Sequence, residues 1–192
     1  MDVLQYYSVE LNMRSLTNDD QWKPVAFKED GQRFQTSSST VKLCSDMKYV
    51  IDVKIEPQVT FDWWWIDVQE QQAKSNTSPV IATYSPALLR RNTDDENQYT
   101  VLWTPKGLPP TRRGDRNVVN FFLQGPKLSI SKPLQCKFYA KDDWHANYGH
   151  SCGGIVFKCA LSWNGEVAIK DERFKFAKGY AQRKYGLRSN TI

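Results

Sequence analysis

The amino-acid sequence predicts an all-β protein, built as an antiparallel β-sandwich or flattened barrel of about 9–10 strands. Three observations lead to this fold class. Short runs of alternating apolar and polar residues recur along the chain, and Pro or Gly stands at nearly every junction between them. No long stretch shows the period of an amphipathic helix, which is about 3.6 residues.

The clearest element is the stretch over residues 24–57. Asp30-Gly31 lies between two short apolar runs, and this dipeptide favours a tight hairpin turn because it tolerates positive φ. Downstream, an alternating strand places four large apolar side chains on one face before Pro57 ends the pairing: Tyr49, Ile51, Val53 and Ile55. Burying them is worth about 6–12 kcal/mol, whereas fixing eight backbone residues costs about 8–16 kcal/mol. This face therefore needs a second layer.

Further alternating runs predict the other strands in chain order. They lie over residues 3–13, 40–44, 61–68, 80–84, 99–104, 118–123, 134–140 and 155–161. The run over 61–68 is apolar on both faces, with Trp63 and Trp65 on one and Trp64 and Ile66 on the other. Such a strand is either covered on both sides, or it forms a pocket wall or docking patch.

The chain of 192 residues is long enough for one domain, which we place at residues 1–174. Residues 175–192 form a basic extension, and residues 170–192 carry seven basic against two acidic side chains. That net charge of +5 equals the net charge of the whole chain, so the rest is neutral. Neither a signal peptide nor a membrane span is found, which predicts a cytoplasmic location and reduced cysteines.

Residues 106–116 form a Pro- and Gly-containing turn with an excess of positive charge. Its basic side chains are Lys106, Arg112, Arg113 and Arg116, and they are candidates for contact with an anion or an acidic peptide. A solvated loop between strands explains the same residues.

No pattern in the sequence predicts catalysis or a metal centre. The G-x-S-x-G, Walker, G-x-G-x-x-G and H-E-x-x-H motifs are absent. His145, His150, Cys152 and Cys159 lack the paired spacing of zinc ligands. We therefore expect a protein that is not an enzyme and that needs no cofactor. A neutral body without an RNA-binding signature also predicts no nucleic-acid partner.

Several of these segments together resemble one known family. Pro24-Val25 through Phe34, Val41-Lys42-Leu43, Tyr49 through Pro57 and the turn Gly107-Leu108-Pro109-Pro110-Thr111-Arg112-Arg113-Gly114-Asp115-Arg116 are similar to the cannabinoid receptor-interacting protein 1 family. Lys137-Phe138-Tyr139, His145 and Cys159 extend the likeness, which covers roughly residues 5–174. The stretch after Trp65 and the segment 175–192 are longer than the family pattern.

The resemblance implies an intracellular β-barrel or sandwich similar to the lipid-binding domain of the Rho GDP-dissociation inhibitor. It also implies a non-enzymatic adaptor that binds the cytoplasmic carboxyl-terminal tail of a G-protein-coupled receptor, cannabinoid receptor-like, and modulates its signalling.

Two other activities stay open at this stage. The first is a carrier for lipidated G-protein or other acylated peptides, held in an apolar pocket between the sheets. Its candidate lining is Tyr49, Ile51, Val53, Ile55, Trp63, Trp65, Phe121, Phe138 and Phe157. The second is weak contact of residues 175–192 with an anionic membrane, peripheral at the plasma membrane.

Overall fold

The computed structural model describes residues 3–29, 39–71, 85–86, 90–91 and 97–177. Thirteen strands and one short 3₁₀ helix, Trp144–Asn147, account for most of this part of the chain. In chain order the strands are β1 Val3–Leu16, β2 Trp22–Pro24, β3 Ala26–Glu29, β4 Ser39–Cys44, β5 Tyr49–Glu56, β6 Trp63–Gln71, β7 Ser85–Pro86, β8 Arg90–Arg91, β9 Gln98–Trp103, β10 Arg116–Gln124, β11 Ser129–Tyr139, β12 His150–Ser162 and β13 Val167–Phe176.

The strands form one strongly curled mixed sheet, a half-barrel. Its order is β7-β6-β10-β11-β4-β3-β12-β1-β5-β9-β8, with β13 paired to β12 and β2 paired to β1. The all-β prediction is confirmed. The prediction of a purely antiparallel sheet is wrong at one place, because β11 and β4 are parallel. Alternation along a strand determines which face is buried but not which strand lies next to it, so the sequence alone did not reveal this pairing.

The curled sheet has two halves, β6-β10-β11-β4-β3 and β12-β1-β5-β9, and the inward residues of both form the interior. On β1 the inward side chains are Tyr7, Val9, Leu11 and Met13, as the opening alternation predicts. Ring contacts cross from one half to the other. Trp103 of β9 meets Phe138 of β11 edge to face, with 6.5 Å between ring centroids. Phe61 meets Tyr99 at 5.7 Å in the same arrangement. The second layer that β5 needs is therefore the other half of the same sheet.

The last strand, β13, joins the two halves by a charged contact. It pairs with β12 from Leu161 back to Cys152. The ammonium of Lys132, on the inward face of β11, donates a hydrogen bond to the Glu172 carboxylate of β13. Lys132 also lies over the ring of Phe157, with its Nζ 5.7 Å from the ring centroid. One ion pair thus connects β13 to the opposite half of the sheet.

Some predicted features lie outside the described residues. These are the Asp30-Gly31 turn, the strand over residues 80–84 and the extension beyond residue 177. Lys175 and Phe176, at the start of the predicted extension, are in β13. The predicted likeness to the Rho GDP-dissociation inhibitor stays a prediction.

Candidate functional site

Basic side chains from four strands lie side by side on the outer face of the half-barrel. We call them the basic row: Arg116 of β10, Lys137 of β11, Lys42 of β4 and Lys28 of β3. Lys137 pairs with Lys42 across the parallel ladder. Arg116 lies beside Lys137 because the next residue pair is Asn117 with Cys136. Lys28 is diagonal to Lys42, since it pairs with Thr40.

The strand period explains why the row faces outward. The residues next to these basic side chains along each strand are buried: Phe27, Val41, Cys136 and Asn117. Successive side chains of a strand point to opposite faces, so Lys28, Lys42, Lys137 and Arg116 point away from the core.

The charges of the basic row repel one another. The pKa of Lys42 is lowered from its ordinary value, first by partial burial and then by the positive charges of Lys28 and Lys137, with a smaller effect of Arg116. The carboxylate of Asp143 acts in the opposite direction. A set of like charges held together by a rigid sheet is stabilised by any anion that binds among them.

One aromatic ring lies against the centre of the basic row. The ring of Tyr139 lies next to both lysines, with its centroid 5.5 Å from Lys42 Nζ and 5.6 Å from Lys137 Nζ. Lys42 Nζ also donates a hydrogen bond of 2.9 Å to the backbone carbonyl of His145. The 3₁₀ helix is therefore fastened directly to the middle of the row.

The 3₁₀ helix presents an exposed aromatic edge. The Asp143 carboxylate caps it by accepting the His145 backbone N–H at 2.9 Å and contacts His145 Nδ1 at 2.7 Å. These contacts hold the pKa of Asp143 below its usual value. Trp144 stacks on the His145 ring at 4.0 Å and meets Tyr148 at 4.3 Å. Trp144 remains mostly exposed.

Gly149 is needed to bring this helix against β3. Its φ is +131°, and a Cβ added there would lie 2.3 Å from the Phe27 carbonyl oxygen. No other residue could approach β3 so closely without moving the backbone.

The predicted basic turn leads into the row. Thr111 fixes it to β11, since its N–H donates to the Phe138 carbonyl and its Oγ1 accepts the Phe138 N–H, both at 2.9 Å. The Asp115 N–H donates to the Arg112 carbonyl at 3.1 Å, which closes a tight turn with Arg112 and Arg113 exposed.

The four predicted basic side chains are thus placed differently. Arg116 is part of the basic row, and Arg112 and Arg113 are on the turn that precedes it. Lys106 belongs to another turn, next to Gly107, whose N–H donates to the Asp46 carboxylate at 3.1 Å. The sequence prediction missed Lys28, Lys42 and Lys137. Their only sequence signal is an outward position on a strand, which identifies a site once the strand order is known.

The predicted apolar pocket residues also separate into two groups. Seven are interior and at most 1% exposed: Tyr49, Ile51, Val53, Ile55, Phe121, Phe138 and Phe157. Trp63 and Trp65 are on the outer face of β6, because Trp64 and Ile66 take the inward positions. Trp63 is 69% exposed.

On the outer face Trp65 forms part of an aromatic patch. It stacks nearly parallel on Phe122 of the adjacent strand β10, with 4.8 Å between centroids and 11° between the ring planes. Trp63 is two residues away on the same strand and opposite Gln124. We call Trp63, Trp65 and Phe122 the aromatic patch.

The described part of the chain offers neither a metal site nor a membrane-spanning helix. Within residues 3–177, apart from the gaps given above, no group of three or more His, Cys, Asp or Glu side chains could hold a metal ion. Among those same residues no helix has the length and apolar character required to cross a membrane. All four cysteines are buried and free: Cys44, Cys136, Cys152 and Cys159.

Comparison with known proteins gives one family. The model of the family described as CB1 cannabinoid receptor-interacting protein 1 matches residues 4–174. This range includes the basic row, the 3₁₀ helix and the aromatic patch. No curated protein matches the chain.

Proposed function

This chain belongs to the CB1 cannabinoid receptor-interacting protein 1 family, and we propose that it is a non-enzymatic adaptor that binds the cytoplasmic carboxyl-terminal tail of a G-protein-coupled receptor through its basic row. The proposal places it in the cytoplasm, where it would modulate signalling by occupying that tail. The observation that carries it is the convergence of Lys28, Lys42, Lys137 and Arg116 on one outer face.

Charge complementarity is the physical basis of the proposed binding. Hydrogen bonds between Lys or Arg and a carboxylate are stronger than neutral ones. The site is already assembled by strand pairing, so little ordering of the protein is required when a flexible tail binds. Partial burial is the main cause of the lowered Lys42 pKa, and an acidic peptide would offset the second cause, the repulsion from Lys28 and Lys137.

Aromatic neighbours make the site more selective than a charged surface alone. The Tyr139 ring lies beside the ammonium groups of both Lys42 and Lys137. Exposed Trp144 can pack against an apolar side chain or backbone of the ligand, as large aromatic residues often do in interfaces.

The test is fluorescence anisotropy with labelled receptor-tail peptides and a charge-reversal variant. Lys137→Glu places a negative charge in the centre of the row, and we expect affinity to fall at least about tenfold, equivalent to roughly 1.4 kcal/mol. Binding should also weaken with added salt, because exposed charges are screened over about 8 Å at physiological ionic strength.

Lys158→Glu is the matched control. Lys158 is exposed on β12, opposite Ser8 of β1, in the other half of the sheet, and its reversal changes the net charge equally. Equal losses in the two variants would show a nonspecific charge effect. If no acidic tail in a panel binds saturably at high micromolar concentration, the proposed function is wrong.

A further inference from the structure

We propose that the outer face from β3 and β4 across β11 and β10 to β6 is a two-part docking surface for an extended peptide, with an acidic segment on the basic row and a large apolar side chain on the aromatic patch about six residues away. This inference rests on the proposed function and specifies the peptide that the site accepts.

Strand β10 connects the two parts. Its outward residues run from Arg116, in the basic row, through Val118 and Asn120 to Phe122, in the aromatic patch. Arg116 and Phe122 are six residues apart, which corresponds to about 20 Å along a strand. An extended peptide parallel to β10 has the same rise per residue, so its two contact groups must have the same spacing.

The aromatic patch has features of an anchor site. Trp65 and Phe122 are held rigidly by stacking, and each is only partly exposed. Trp63 is 69% exposed beside them. Rigid, partly buried aromatic side chains are the group that most often dominates binding energy in protein interfaces.

The middle of the surface is polar and favours a peptide over a membrane. Asp67 of β6 is opposite Asn120 of β10, and Asn120 Nδ2 and Gln69 Nε2 both donate to Asp67 Oδ2, at 3.5 Å and 3.1 Å. The other oxygen, Asp67 Oδ1, is shielded from water and has no hydrogen-bond partner among the described residues. A carboxylate here repels the headgroups of an anionic membrane, which would cover the whole surface, whereas a peptide can keep its acidic residues on the basic row.

The experiment uses synthetic peptides with an acidic cluster and one Phe, measured by anisotropy with the full chain. The Phe is placed three, six or nine residues from the central acid, in both orders along the peptide because a strand-like ligand can run either way. A matched peptide has Ser in place of Phe. We expect the six-residue spacing to bind at least fivefold more tightly than the Ser peptide, and the other spacings to gain less than twofold.

Two protein variants test whether the gain in affinity from Phe comes from the aromatic patch. Trp63→Ser should reduce the fivefold gain that Phe gives over Ser at the six-residue spacing, because it removes the exposed ring next to Trp65 and Phe122. Trp163→Ser is the control, since Trp163 is 72% exposed in the turn between β12 and β13. Both sites are exposed, so both variants are expected to fold.

The outcomes separate this inference from the proposed function. In one outcome the Ser peptide binds in a way that depends on Lys137, but Phe increases the affinity at no spacing. This result leaves the proposed function intact and overturns the two-part surface. A gain that is independent of spacing or unaffected by Trp63→Ser overturns it as well. In a third outcome Trp63→Ser abolishes binding to phosphatidylserine vesicles but does not change the affinity for peptides. This result would assign the aromatic patch to a membrane and reject the proposal.

Discussion

The ion pair between Lys132 and Glu172 allows a sharp prediction about stability. The Lys132 side chain is 6% exposed, whereas that of Glu172 is 34% exposed. Glu172→Gln leaves the buried Lys132 ammonium group without a counter-charge, and we expect this to cost about 3 kcal/mol of stability. This value is at the lower end of the range for breaking a buried ion pair, because water reaches the Glu172 side chain. Lys132→Met removes the buried charge and keeps the side-chain volume, so we expect a change within about 1 kcal/mol.

Urea unfolding measures both variants. With a slope of roughly 1–3 kcal/mol per molar urea, a loss of about 3 kcal/mol moves the midpoint by about 1–3 M. The control is Glu10→Gln, which breaks the ion pair between Glu10 and Lys175 of β13. Both side chains of this pair are partly exposed, so the loss should be less than about 1 kcal/mol. Equal destabilisation by Lys132→Met and Glu172→Gln would refute the reasoning, because the asymmetry follows from the difference in burial.

Three further predictions follow from individual groups. The buried Tyr49 hydroxyl accepts a hydrogen bond from the Cys44 N–H at 2.6 Å and donates one to the Cys44 carbonyl at 3.2 Å. Tyr49→Phe should therefore lower the free energy of unfolding by about 1–3 kcal/mol. A loss under about 0.5 kcal/mol would contradict this role of the hydroxyl. Burial raises the pKa of Cys44, Cys152 and Cys159 to about 11, so a thiol reagent should react slowly in buffer and fully in urea; rapid native labelling would be inconsistent with this burial. The pKa of Lys42 is lower in the folded protein than its ordinary value, so folding stability should rise with pH between the folded and unfolded pKa values of this lysine. A bound acidic peptide should raise the Lys42 pKa, which an NMR titration measures. No shift on saturation with peptide would place the ligand away from Lys42.

Strands with one buried face were predictable because their alternation is complete. The four inward residues of β5, Tyr49, Ile51, Val53 and Ile55, are all buried in the core. The opening strand extends to Leu16, three residues beyond its predicted end, because its second half pairs with both β2 and β5. The alternation of apolar and polar residues is a property of one strand alone. It can therefore be recognised without knowing which strands lie next to it.

Strand β13 was not predicted, for a reason that its burial explains. Four consecutive charged residues in its centre, 170–173, are exposed, and they interrupt any apolar alternation. The strand is held instead by backbone pairing to β12 and by nonlocal contacts such as Phe174 with Phe27, at 4.9 Å between ring centroids. A tail that looks like a solvated basic segment in the sequence is therefore partly a sheet element.

The basic row was also not predictable from the sequence, because its residues come together only through strand pairing. A contiguous basic segment such as 106–116 stands out in a sequence, whereas Lys28, Lys42 and Lys137 are single outward residues on three separate strands. They become neighbours through the antiparallel pairing of β3 with β4 and the parallel pairing of β4 with β11. The parallel ladder was the one pairing that the predicted fold class excluded, so the row could not be assembled from the sequence.

The predicted lipid-carrier activity depends on whether the interior can open. Its seven inward candidates, such as Phe121 and Phe138, belong to one continuous buried cluster. An acyl chain gains about 0.8 kcal/mol per buried CH₂, but it must first separate side chains that already contact one another. The Lys132–Glu172 pair ties β13 to the opposite half of the sheet, so entry beside β13 requires this pair to break. A carrier should therefore bind a lipidated peptide more tightly than the bare peptide, and Glu172→Gln should widen that difference. Equal affinities for the two peptides, in the native chain and in Glu172→Gln, would reject the carrier and leave the outer face as the binding surface.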